Sequence, residues 1–140
     1  MYIMLHKKFI VLIASILMTI GVVTIVSPVL AGNTSQTYWH NVYRIWSPYD
    51  HTPARRKETK SAYYNKTNHI KISGNYIVIW AALYDGRDVS GGHRYKSYKG
   101  QVTNLWNNAV ERYKKGVQVR IDSKRVANGW ADGVWSPDTK

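Results

Sequence analysis

Along the chain the spacing of apolar positions changes several times, and each change marks an element. Phe9 to Val26 is an apolar stretch of 18 residues with no alternation. After a small, polar "GNTSQT" (32–37), "YWHNVYRIW" (38–46) is rich in aromatic and β-branched residues. Trp39, Tyr43 and Ile45 fall there on one parity, which predicts a strand. "SPYDHTP" (47–53), with two Pro and an Asp, predicts a loop. Residues 54–75 open on a basic cluster and end in an alternation, Ile70 and Ile72 on one side and Lys71 and Ser73 on the other, closed by the turn signal Gly74-Asn75. "YIVIWAALY" (76–84) has no polar position, so it predicts a strand buried on both faces. Asp85-Gly86 is a short turn signal. Val89 and Ser90 then start a return strand, Gly91-Gly92 supply a bulge or second turn, and "HRYKSYK" (93–99) reads as a surface strand.

From Val102 the period lengthens: Leu105, Trp106, Ala109, Val110 and Tyr113 follow at the spacing of one helix face, with Glu111 four residues ahead of Lys115. Asn104, Asn107 and Asn108 are weak helix formers, so the rival reading is a strand at 101–106 followed by a loop. "VQVRID" (117–122) alternates cleanly with Val117, Val119 and Ile121 inward, "ANGW" (127–130) is a turn, and "WADGVW" (130–135) is a last strand. Short strands divided by Gly, Asn, Asp and Pro turns predict a mainly β fold. It is a small antiparallel β-sandwich or barrel with at most one short helix, preceded by an N-terminal signal helix. The six Trp (39, 46, 80, 106, 130 and 135) are expected to fill much of the core, each large apolar side chain contributing about 1.5 to 3 kcal/mol when buried.

The apolar stretch follows His6, Lys7 and Lys8 and leads into "SPVLA", with Val29 and Ala31 at the spacing of a cleavage site. Residues 1–31 are therefore expected to be an export signal, or a retained membrane anchor, because 18 apolar residues reach the lower edge of a membrane span. The expected organisation is 1–31 signal, 32–37 flexible lead and 38–140 a single β-rich domain, secreted or, if the segment is kept, anchored outside the cytoplasm. No cysteine is present, so the domain must hold by packing alone.

Charge narrows the partner. The chain carries 20 Lys and Arg against 8 Asp and Glu; without Lys7 and Lys8 the balance is 18 against 8, or +10. Such a field attracts polyanions. Outside a cell these are anionic lipid head groups, phosphate-rich wall polymers, acidic polysaccharides and released nucleic acid, among which composition does not choose, and an exported chain has no intracellular nucleic acid to meet.

Candidate chemistry concentrates in "YDGRDVSGGHRYKSYKG" (84–100). Ser90, His93 and Asp85 or Asp88 have the residue types of a hydrolase triad, but no G-x-S-x-G elbow frames them, and Asp, Gly and Ser in a cluster are turn formers. Glu58 and Glu111, the only Glu, each lie beside cations that lower a carboxyl pKa and spoil a general acid. His40, His51, His69 and His93 lack ligand spacing, so neither a metal nor a cofactor is expected and the protein does not read as an enzyme. What remains is cations interleaved with rings: Arg55, Arg56, Lys57 and Lys60 with Tyr63 and Tyr64 in one cluster, and Arg94, Tyr95, Lys96, Tyr98 and Lys99 in the other. On a strand, Arg94, Lys96 and Tyr98 share one face and His93, Tyr95, Ser97 and Lys99 the other. Rings stack on sugars while cations neutralise phosphate or carboxylate, although Lys and Arg on an edge strand also guard it against aggregation.

"WAALYDGRDVS" (80–90), "GGHRYKSYKG" (91–100) and "NGWADGVWSPDT" (128–139) resemble a family of small exported proteins of Gram-positive bacteria with no established activity. The resemblance covers most of 54–139 and implies a signal peptide, one compact domain and a C-terminal ending of Trp and acid, with no catalytic residues. This chain departs from it in cation load and in the helical period around Trp106. The expectation is a secreted cationic protein that binds anionic cell-envelope polymers or membranes, a bacteriocin-like factor being one form of it. The alternatives are a secreted enzyme or enzyme inhibitor acting on wall polymers, and a membrane-anchored structural protein.

Overall fold

The computed structural model describes residues 32–140; the expected export segment, 1–31, lies outside the described residues. Nine strands and one helix follow in the described chain: β1 (Thr37–Tyr43), β2 (Tyr49–His51), β3 (Arg55–Arg56), β4 (Tyr63–Lys71), β5 (Tyr76–Leu83), β6 (Tyr95–Tyr98), β7 (Val102–Leu105), α1 (Ala109–Tyr113), β8 (Gln118–Lys124) and β9 (Gly129–Ser136). They make two antiparallel sheets. The first has the order β1-β9-β4-β7; the second has the order β2-β8-β5-β6, with β3 also paired to β8. The sheets stay open and face each other as a sandwich, which decides between the two architectures expected from the sequence.

The period-two patterns explain the layers. Trp39, Asn41 and Tyr43 of β1, Tyr63, Asn65 and Thr67 of β4, and Ala131 and Trp135 of β9 turn inward. Ile77, Ile79, Ala81 and Leu83 of β5, with Val119 and Ile121 of β8, face them from the second sheet. Gly133 leaves room for β9 between its two neighbours in the first sheet: a Cβ there would lie 2.2 Å from the Lys66 carbonyl oxygen of β4 and 2.9 Å from the Trp39 ring of β1. The interior is not purely apolar. Trp39 Nε1 donates to Asn65 Oδ1 (3.0 Å), Asn65 Nδ2 to Thr67 Oγ1 (3.1 Å), and Thr67 Oγ1 meets Ser97 Oγ of the opposite sheet at 2.7 Å. Tyr63 OH donates to the Ala82 carbonyl (3.1 Å) and Tyr43 OH meets Ser123 Oγ at 2.7 Å, so with the Thr67–Ser97 contact these hydrogen bonds run from one sheet to the other. A buried polar group with its partner in place fixes how the layers sit, because any slip leaves it unpaired.

Several expectations are corrected. The stretch 47–53 is not all loop: Tyr49–His51 forms β2 on β8. The helix expected over 102–113 is reduced to α1, because Val102–Leu105 pairs with β4 as β7. Lys114, at φ 72, and Gly116 end α1, while Asn107 Oδ1 accepts from the Ala109 amide at its start. Val89 is buried without joining a strand, its neighbour Asp88 making only a bridge to Ala82. Of the six Trp, only Trp39 and Trp135 lie in the central core. Trp80 is buried on the outward side of β5, Trp130 is half-buried under His40 with ring centroids 5.3 Å apart, and Trp46 and Trp106 are exposed.

The lead before β1 is tied down rather than free. Asn33 donates from its backbone to Asp138 Oδ2 (2.7 Å) and from its side chain to the Arg56 carbonyl (2.8 Å), and the Arg55 guanidinium bonds Asn33 Oδ1, the Ser35 carbonyl and Ser35 Oγ.

Candidate functional site

The outward side of the second sheet gathers rings and cations. Strand alternation sends Tyr76, Val78 and Trp80 of β5 outward, since Ile77 and Ile79 go to the core. Register then sets their neighbours. Tyr49 faces Lys124, Lys124 faces Val78, and Val78 faces Lys96, a single row across β2, β8, β5 and β6. Tyr76 faces Tyr98 beside it, with ring centroids 5.8 Å apart. Cations lie over rings throughout: Arg94 over Trp80 at 4.3 Å, Lys96 and Arg125 over Tyr76 at 4.7 and 3.9 Å, and Lys124 over Tyr49 at 5.1 Å. Each ring holds a cation in place without neutralising it.

Carboxylates on this face are occupied by arginines. Asp122 takes Arg120 Nε at 2.6 Å and Asp88 takes Arg94 Nη2 at 2.8 Å. Burial pushes the Asp88 carboxyl up, but the Ser90 and Arg94 hydrogen bonds outweigh it and hold the group below the usual carboxylate range. At the nearby turn, Arg87 hydrogen bonds hold Asp85 down in the same way. Lys96 and Lys124 meet no carboxylate within salt-bridge distance among the described residues. They are two point charges on flexible stems, on strands about 10 Å apart with β5 between them.

The two cationic clusters expected from the sequence are not brought together. Arg55 and Arg56 pair with Val119 and Gln118, the end of β8 remote from Lys124, while β6 lies on the opposite edge beyond β5. Arg55 holds the lead, Arg56 Nε meets Glu58 at 3.3 Å, and Lys60 is exposed. Lys57 is a correction: it is fully buried, its Nζ donating to Ser61 O (2.5 Å), Pro137 O (2.6 Å) and Asp138 Oδ1 (2.9 Å). Three donors with three acceptors leave nothing for a ligand. On β6 the expected alternation is present, with Arg94, Lys96 and Tyr98 exposed and Ser97 buried. Tyr95 turns inward with Ser97 and is half-buried, its hydroxyl accepting from the Trp106 amide (3.1 Å); Lys99 is exposed beyond the strand.

Sequence reasoning missed Tyr49, Tyr76, Trp80, Lys124 and Arg125. They sit in segments up to 76 residues apart that only the register joins. A signal was present for Lys124, because Arg120, Asp122 and Lys124 alternate with Val119 and Ile121. "YIVIWAALY" hid Tyr76 and Trp80, since rings capped by cations read in sequence as core, while Tyr49 and Arg125 reach this face only through the pairing of β2 and β8.

The loop after β5 does not assemble a nucleophile with its base. Ser90 is buried, donating to Asp88 Oδ1 at 2.5 Å and accepting from Arg94 Nη1 at 2.8 Å. The His93 ring packs instead on Tyr95 and Trp106, at centroid distances of 6.3 and 5.4 Å.

A family model described as Protein of unknown function (DUF2712) matches residues 27–139, and the chain belongs to that family. No curated protein and no solved structure matches the chain.

Proposed function

We propose that this DUF2712 chain is a secreted cationic binding protein of a Gram-positive bacterium, directed at the phosphate-rich anionic polymers of the cell envelope. A bacteriocin-like factor is one form such a protein takes. The outer face of the second sheet is its binding surface, with Arg94, Lys96, Tyr98 and Lys99 on one flank and Lys124 and Tyr49 on the other. The observation that carries the reading is the row Tyr49, Lys124, Val78, Lys96, in which two uncompensated ammonium groups stand among exposed rings. The net charge of +10 beyond residue 31 adds a long-range attraction to any polyanion, and the first 31 residues have the layout of an export signal.

The test is sedimentation of residues 32–140 with isolated Gram-positive walls at rising salt. This piece forms a compact unit and contains its whole core, so it serves for the measurement. The expected result is co-sedimentation at low salt that fades as the Debye length shortens, and loss of most of it in the double variant Lys96→Ala/Lys124→Ala. No sedimentation at low salt, or equal binding by the double variant, defeats the reading.

A further inference from the structure

At one end of the sandwich the connections 44–48, 72–75 and 125–128 lie together. Arg125 ties them: its amide donates to the Pro48 carbonyl (2.8 Å), and its guanidinium to the Ser73 carbonyl (2.5 Å) and Tyr76 OH (2.8 Å). The Ile45 amide donates to Asn128 Oδ1 at 3.2 Å, a second tie between the first and third connections. The tip of the first is a tight turn closed by paired backbone hydrogen bonds, Arg44 N to Ser47 O (3.1 Å) and Ser47 N to Arg44 O (3.0 Å). Its two central residues are Ile45 and Trp46, exposed at 60% and 79%, and Val126 on the third connection is exposed at 59%.

Such a turn is ordinarily made from Gly, Asn, Asp, Ser or Pro, whose backbone or side-chain chemistry favours it. Isoleucine and tryptophan give the turn nothing, and on a folded protein their exposure is unfavourable unless something covers them. The tip is also held firmly, so these side chains cannot fold back into the core. Around it, the stretches 44–49, 71–76 and 125–130 contain Arg44, Lys71 and Arg125 and no carboxylate. A rigid apolar point with Trp at its apex and a cationic collar fits the boundary of an anionic bilayer. Apolar side chains enter among the acyl chains there, the indole sits at head-group depth and the cations meet lipid phosphates.

We propose that Ile45, Trp46 and Val126 form an insertion tip that seats the domain on a bilayer of anionic phospholipid. The tip lies on a different surface from the Lys96–Lys124 row and shares with the envelope-binding reading only the attraction of its collar to an anionic envelope.

The experiment uses residues 32–140 with vesicles of phosphatidylglycerol and phosphatidylcholine, with phosphatidylcholine vesicles alone, and with a soluble wall phosphate polymer. The double variant Ile45→Ser/Trp46→Ser should weaken binding to the anionic vesicles by at least about tenfold and leave binding to the soluble polymer unchanged. In a second measurement, Trp46→Cys carrying an environment-sensitive fluorophore should shift to the blue and resist an aqueous quencher only with anionic vesicles. Wild-type vesicle binding by the double variant, a label that stays in water, or equal loss of polymer binding overturns the proposal. If Lys96→Ala/Lys124→Ala binds polymer normally while the label still inserts, the sheet-face reading falls and the tip stands. A label that stays in water beside a polymer-binding defect in that lysine variant does the reverse.

Discussion

Lys57 Nζ and Asp138 Oδ1 meet at 2.9 Å with both side chains sealed from solvent, joining the segment before β4 to the one after β9. Asp138 has no lone pair to spare. Its Oδ2 accepts the amides of Asn33 and Glu58 (2.7 and 2.9 Å), and Oδ1 accepts the Thr59 amide and hydroxyl (3.1 and 2.9 Å) besides Lys57. Burial pushes the Lys57 ammonium down and Asp138 restores it only in part. Burial likewise pushes Asp138 up, but the Asn33 and Glu58 amides and Lys57 together hold it below the usual carboxylate range.

Removing one member of this pair leaves the other charged in a dry site. Lys57→Met is expected to lower unfolding stability by about 3 to 5 kcal/mol, read from the urea midpoint. Adding Asp138→Asn to it should recover part of the loss, because no uncompensated charge then remains. A single variant as stable as the parent would mean that the pair does not hold the two segments.

The depressed pKa of Asp138 also fixes a pH dependence. A carboxyl with a folded pKa below its unfolded value of about 3.9 contributes stability that is complete above that value and is lost as pH falls through the folded one. Thermal unfolding followed into strong acid should therefore show a falling midpoint, and Asp138→Asn should flatten that limb. An acid limb of unchanged slope in the variant counts against the assignment.

At the alkaline end Tyr43 acts in the opposite sense. Burial pushes its phenol up to about 12, the hydrogen bonds of Ser123 and Asn41 offsetting only part. Because the folded pKa lies above the unfolded one of about 10, the stabilisation is full below about 10 and is lost as pH rises toward the folded value. Phenolate absorbance should thus include a late step that Tyr43→Phe removes, together with a loss of about 1 kcal/mol for the bond to Ser123. A late step unchanged in the variant would assign it elsewhere.

The alternations of 38–46, 117–122 and 130–135 were enough to give β1, β8 and β9, and with the turn residues to give the fold class, because one buried face imposes period two on the sequence. Periodicity misled where two elements share one apolar stripe, as at 102–113: Leu105 serves a strand and Ala109 a helix, and both touch the same core. The exposed half of β6 was legible because Arg94, Lys96 and Tyr98 alternate with Ser97. The rest of that face was not, because Tyr49, Lys124 and Val78 become neighbours through pairing between distant strands, which no local window contains. Lys57 misled for a different reason: its buried acceptors come from residues 61, 137 and 138, and a cation beside Arg55 and Arg56 looks like surface until they are seen.

The strand order β1-β9-β4-β7 has a consequence for how the chain becomes a domain. In its own sheet β1 touches only β9, so His40 waits for Asp132 and Trp39 for Gly133, more than ninety positions downstream. Contacts this remote are slow to form, since a long loop must close before any of them is rewarded. Until residues 129–136 emerge, the first sheet is only the β4–β7 pair. A nascent chain short of that point lacks the strand that joins β1 to β4, so the first layer closes only when the last strand arrives.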